Sequence, residues 1–338
     1  MMKRGPLAWD NARAEGVHWG GGRPLRLIVH HVNDDTNKLY ANEVWQFLVL
    51  VRKLRLPFAS DSDKDITMAT ELERRCFVEG WPLHRGQKLY HGWMHVFPEY
   101  RGRFPLSLRA LHTWEALGGP AEGGPASRAS VHVMCEQLAR QGCVDAAFAA
   151  AVQLDGYMRE QDWIQLRAED VQVDWRKDAC VVALLFGRRH RGESVKTGQE
   201  QGVKLESSLL SRLLAERVKD MEPEERIFNL TADVFRREWR QAAVALGMPW
   251  FPPPHCLRHT GPSEDASSGR RTLEDIRRRG RWTQPKSVQR YSKPHALVMH
   301  KARLTEKVKS RGEWLEDHFG EAMEKLVLAS SAWSSALA

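Results

Sequence analysis

The run Gly118-Gly119-Pro120-Ala121-Glu122-Gly123-Gly124-Pro125 constrains this chain more than any other stretch. Glycine loses the most conformational freedom when a helix or strand forms, and proline lacks the backbone donor that both need. No regular element passes through such a run, so the 338 residues divide there. A chain of that length exceeds one small core, and 42% hydrophobic residues supply enough apolar surface for two. The expected parts are a basic arm at 1–32, a helical domain at 33–118, a linker at 119–126, a larger domain at 127–310, and a C-terminal helix and tail at 311–338.

Before the break the pattern is helical. Asp34-Asp35-Thr36 caps a helix through Leu54, with Tyr40, Val44, Phe47, Leu48 and Val51 at helical spacing, and Pro57 ends it. Further helices are predicted from Ile66 to Val78, from about Gln87 to Phe97, and from Pro105 to Leu117. Lys53, Arg55, Arg74, Arg75, Arg85, Lys88, Arg101 and Arg103 read as a solvated surface, or as phosphate contacts if the larger domain binds DNA.

After the break, Ser127 to Gln141 and an alanine-rich stretch from Val144 to Tyr157 read as helices separated by Gly142. Strand signals follow at Val171–Trp175, Cys180–Phe186 and Gly202–Leu205, with a basic hairpin, Arg188 to Gly198, between the last two. Helices resume at Leu209–Lys219 and Ala232–Leu246, the second carrying Arg236, Arg237 and Arg240. The fold class is mainly α with a small antiparallel three-stranded β-sheet.

Lysine and arginine number 51 against 43 acidic residues, a formal charge of +8 that favours polyanionic partners. The five cysteines, Cys76, Cys135, Cys143, Cys180 and Cys256, are odd in number and form no CxxC pair, which argues against a disulfide framework or a zinc site. A reducing, intracellular compartment is expected, cytoplasm or nucleus, because no apolar run reaches signal or membrane-spanning length.

The chemistry gathers between His255 and Tyr291. His255 and Arg258, three apart in His255-Cys256-Leu257-Arg258-His259-Thr260, lie on one helix face and reach one anion. A polar connection follows, then a helix start at Thr272-Leu273-Glu274-Asp275-Ile276, the arginines Arg277, Arg278, Arg279 and Arg281, then Trp282 and Tyr291. Arginine forks, a histidine and a hydroxyl nucleophile are the parts phosphoryl transfer needs when no metal is used. Upstream, a buried helix carries Arg159 with Asp162 one turn on to orient it; a lone pair at that spacing is commonly a minor surface salt bridge.

In this order the pieces resemble the catalytic domain of the tyrosine recombinases, the phage-integrase family, over roughly residues 127–300. Gly156-x-x-Arg159-x-x-Asp162 with Leu166-x-x-Glu169-Asp170-Val171 resembles the first box, His255-x-x-Arg258-His259-Thr260 the second, and the spacing of Trp282 to Tyr291 the third. The helical domain is similar to that family's core-binding domain. Each motif alone is weak; their joint order is specific.

The resemblance implies DNA strand breaking and rejoining on double-stranded DNA, without metal or small-molecule cofactor, in a homo-tetramer. It implies Arg159 and Arg258 as a phosphate clamp, His255 for proton transfer or phosphate contact, Trp282 as an indole donor or packing group, and Tyr291 as nucleophile. Lys196 on the hairpin is the candidate acid, with Lys204 as the alternative. Asp162 and His259 support these groups, while Arg236, Arg237, Arg240, Arg277, Arg278, Arg279 and Arg281 are expected on the DNA backbone. The terminal apolar stripe Leu315, Phe319, Met323 and Leu326 is core by default and, by resemblance, a helix docking into a neighbouring protomer. A mobile-element origin fits. Two other readings stay open, a recombinase-derived DNA-binding protein without catalysis and a type IB topoisomerase.

Overall fold

Two compact units, residues 1–122 and 123–338, divide the chain inside the Gly/Pro run. The computed structural model describes residues 32, 34–118, 123–176, 179–188, 191, 193 and 200–328. The basic arm therefore lies outside the described residues, apart from Val32.

The first unit is helical: α1 Asp34–Leu54, α2 Asp61–Glu73 continuing as a π turn over Arg74–Val78, α3 Leu83–Val96 and α4 Pro105–Gly118. Two helices start earlier than their apolar spacing suggested. Ser60 Oγ accepts from the Asp63 amide at 3.0 Å while the Asp63 carboxylate accepts from the Ser60 amide, a reciprocal cap that nucleates α2 five residues early. Pro82, with its fixed φ, launches α3 at Leu83. The core gathers around Trp93, whose ring lies 4.4 Å from Phe97 and 5.6 Å from Phe58. Arg75 is not the surface cation expected. It is buried, pairing with Glu43 at 2.8 Å and Glu71 at 2.7 Å.

In the second unit α5 Arg128–Arg140 and α6 Val144–Asp155 are followed by a short α7, Glu160–Ile164. Ala146, Ala147, Ala149, Ala150 and Ala151 of α6 are all buried, since a methyl side chain lets neighbouring helices approach closely. Three strands, β1 Val171–Arg176, β2 Ala179–Phe186 and β3 Gln201–Lys204, pair antiparallel in the order β1-β2-β3. Val171 lies opposite Leu184, which in turn opposes Val203. Then come α8 Ser208–Val218, α9 Ala232–Ala245, α10 Cys256–Ser267, α11 Leu273–Arg279, α12 Pro285–Tyr291, α13 Pro294–Arg303 and α14 Glu306–Leu328.

The terminal stripe is core of its own unit. Leu315, Met323 and Val327 are fully buried, Phe319 stacks on His132 of α5 at 4.0 Å, and Arg311 binds Glu136 at 2.9 Å. No neighbouring copy is needed to cover it. α14 also begins at Glu306 and runs unbroken through residue 311. A second departure is at 261–267, expected as a polar connection. α10 continues through it despite Pro262, because Gly261, Pro262, Ser263 and Asp265 face the interior.

Candidate active site

The site is built where α10, α12 and the α6–α7 connection meet. Pro252-Pro253-Pro254 delivers the chain to His255, which stands at the N-cap of α10. Cys256 and Leu257 insert into the core and carry Arg258 in with them, 0% exposed. Its guanidinium donates to the Tyr157 carbonyl and, at 2.8 Å, to that of Gly280, while Nε meets no acceptor among the described residues. Burial, with Arg159 and then Arg281 beside it, holds its pKa below the ordinary arginine value. A cation so placed carries a solvation cost that an incoming anion would offset.

Arg159 is not inside a buried helix. α6 ends at Asp155, Tyr157 turns through φ +49°, and Arg159 becomes the half-buried N-cap of α7. Nor does Asp162 orient its guanidinium. Asp162 Oδ2 accepts from the Arg159 amide at 2.9 Å and from Arg281 Nη2 at 2.8 Å. Among the described residues the Arg159 side chain forms no ion pair.

Tyr291, the last residue of α12, lies with its ring between two others. Trp282 stacks on one side at 4.7 Å and 21°, and His259 packs at 4.7 Å and 32°. The Arg258 guanidinium is 5.3 Å from the Tyr291 ring, and the His255 ring is 6.4 Å away. His255 is solvent-accessible, yet desolvation by the surrounding protein, and then the nearby Arg258 and Arg159, lower its pKa from 6.5 and favour the neutral imidazole. Trp282 is buried with its Nε1 lacking an acceptor among the described residues.

Arg159, His255, Arg258, His259, Trp282 and Tyr291 therefore share one site, with Asp162 behind them. Lys196 lies outside the described residues. Lys204 is exposed on β3, its carbonyl accepting from Arg279 at 3.2 Å. The arginines expected on the DNA backbone separate into two kinds. Arg236, Arg237, Arg240 and Arg278 are exposed, and Arg277 with Arg278 binds Glu274. Arg279 and Arg281 are interior instead: Arg279 holds the Asp155 carbonyl, and Arg281 the Gly156 carbonyl and Asp162.

Sequence reasoning missed Ser263. Its buried hydroxyl donates to the Tyr291 carbonyl at 3.0 Å and accepts from the Lys293 amide at 2.8 Å, fixing the end of α12. The signal was available, because His255, His259 and Ser263 recur every four residues and so share one face of α10. Gly280 was missed too. A Cβ there would lie 2.1 Å from the Trp282 ring, so only glycine lets that indole stack.

Among solved structures, the chain is similar to the XerH site-specific recombinase bound to difH substrate in a pre-cleavage complex, with 11% identity and a TM-score of 0.51 over 79% of each chain. The post-cleavage complex of XerH on palindromic difH substrate gives 0.48 at 11% identity, over 79% of this chain and 78% of that one. The XerA recombinase gives 0.38 at 14% identity, over 87% and 94%. No family model matches the chain, and no curated protein does. The fold is that of the tyrosine recombinases, mainly helical with a small three-stranded antiparallel sheet.

Proposed function

We propose that the chain breaks and rejoins double-stranded DNA through a covalent 3′-phosphotyrosyl intermediate on Tyr291. The observation that carries this reading is a tyrosine packed between Trp282 and His259 and beside a buried arginine that has two like-charged neighbours, Arg159 and Arg281. Tyr291 Oη attacks the phosphorus, its proton passes toward the neutral His255, and the bond from phosphorus to the 5′-oxygen breaks. That oxygen takes a proton from Lys196. Arg159 and Arg258 hold the equatorial oxygens, where two guanidinium groups match the charge of the pentacoordinate state. The phosphotyrosyl bond keeps the phosphodiester energy, so reversal onto another strand needs no ATP. Paired sites held in a homo-tetramer belong to the same reading.

The test is incubation of the full chain with a pool of nicked duplexes of random sequence. Denaturing gels should reveal a protein–DNA adduct that Tyr291→Phe abolishes. An adduct that survives this change removes Tyr291 from the chemistry. Binding without any adduct returns the chain to a DNA-binding role, and relaxation of supercoiled plasmid by the unassembled protein returns it to topoisomerase chemistry.

A further inference from the structure

We infer that Arg281 is a positioning residue, the piece that locks Arg159 to the rest of the phosphate clamp. The inference rests on the reading of Arg159 and Arg258 as that clamp. It replaces the expectation that Arg281 touches DNA.

The geometry points inward at every atom. The Arg281 side chain is 6% exposed and lies 4.8 Å over the Phe186 ring of β2. Nη2 donates to Asp162 Oδ2 at 2.8 Å and Nη1 to the Gly156 carbonyl at 3.2 Å. These two acceptors bracket Arg159. Gly156 starts the turn that carries it, and Asp162 holds its backbone amide at 2.9 Å. Both hands of the fork are therefore occupied, one on each side of the residue being positioned.

The same residue reaches the other half of the site through its backbone. Gly280, just before it, accepts from Arg258, and Trp282, just after it, stacks on Tyr291. Arg281 itself sits at φ +57°, a left-handed conformation that a branched or long side chain rarely adopts. Glycine would adopt it freely, so an arginine at this backbone conformation carries a strain that its side-chain contacts offset. Those contacts form a link of 119 positions in sequence between the two arginine-bearing segments. Arginine meets the two acceptors with two separate nitrogens of one planar fork, a geometry that the single nitrogen of lysine does not reproduce.

The experiment uses the full chain as wild type, Arg281→Gly, Asp162→Asn and the double variant. Glycine suits the backbone, so Arg281→Gly removes the fork without adding strain. Adduct formation on nicked duplex at saturating DNA should slow on the order of 100-fold in Arg281→Gly, the usual loss when a reacting geometry shifts by about an ångström. Equilibrium DNA affinity should change by no more than about threefold, and the double variant should be no slower than the slower single one. Equal rates in Arg281→Gly and wild type, or additive losses in the double variant, overturn the inference. Native-state hydrogen exchange at residues 157–164 gives an arm independent of chemistry. Protection there should fall in Arg281→Gly, and unchanged protection overturns the inference even if the wild type forms no adduct. Absence of a wild-type adduct by itself counts only against the catalytic reading.

Discussion

Ser263→Ala tests how tightly the nucleophile's helix is held. Its hydroxyl is fully buried and makes two contacts, donating to the Tyr291 carbonyl at 3.0 Å and accepting from the Lys293 amide at 2.8 Å. Alanine fits the space but supplies neither partner. Each polar group deprived of its partner costs about 1–3 kcal/mol, and with both partly buried the variant should lose about 2–4 kcal/mol. The loss falls on the C-terminal end of α12, a helix of 7 residues. If about 1.4 kcal/mol of it is felt at Tyr291 in the reacting geometry, adduct formation slows about tenfold. Urea unfolding followed by tryptophan fluorescence reads the stability, with the transitions of the two units fitted separately. Gel-resolved adduct formation reads the rate. A variant with an unchanged midpoint and an unchanged rate refutes the idea that this hydroxyl holds the tyrosine.

Two further predictions concern the core of the second unit. Leu315→Ala, at a position 0% exposed under α5, should destabilise that unit by about 2–5 kcal/mol in urea unfolding; a loss under about 1 kcal/mol would mean that α14 is not docked as described. Burial holds His132 at about 3 and His300 at about 4, with Arg128 adding to the first and Arg303 to the second. Both values lie below the 6.5 of a free imidazole, so the unfolded chain binds more protons. Stability is complete above 6.5 and falls as pH drops toward 4 and then 3. Thermal unfolding followed from pH 7.5 to about 5 should show a falling midpoint; a flat one refutes the assignment of both histidines as neutral.

Much of this molecule was legible because its signals are local. Apolar spacing located the helix around Phe47 and strand signals located the three strands; the two compact units divide within the glycine–proline run. His255, Arg258 and Tyr291 were legible as a motif whose spacing survives without any tertiary information. What stayed hidden depends on partners far away in sequence. Asp162 stands one turn from Arg159 and looks like its counter-ion, yet Arg281 arrives from 119 positions downstream and takes the carboxylate. The arginines after Ile276 look alike on paper. A helical rotation of about 100° per residue turns Arg278 to solvent and Arg279 onto the Asp155 carbonyl. Residues 261–267 read as a loop by composition, and packing against Tyr157 and Tyr291 keeps them helical.

The docking of α14 on its own unit has a consequence for how two copies of this chain would meet. Leu315, Met323 and Val327 already close an interior, so a second copy obtains those contacts only by displacing an identical helix. Closed and intertwined forms then have the same contact energy, and the choice between them falls to protein concentration and to the two-residue hinge Leu304-Thr305 between α13 and α14. Interchange requires a helix of 23 residues to peel away first. Its pace is therefore set by local unfolding rather than by diffusion, and a chain that emerges closed stays closed for as long as that barrier holds.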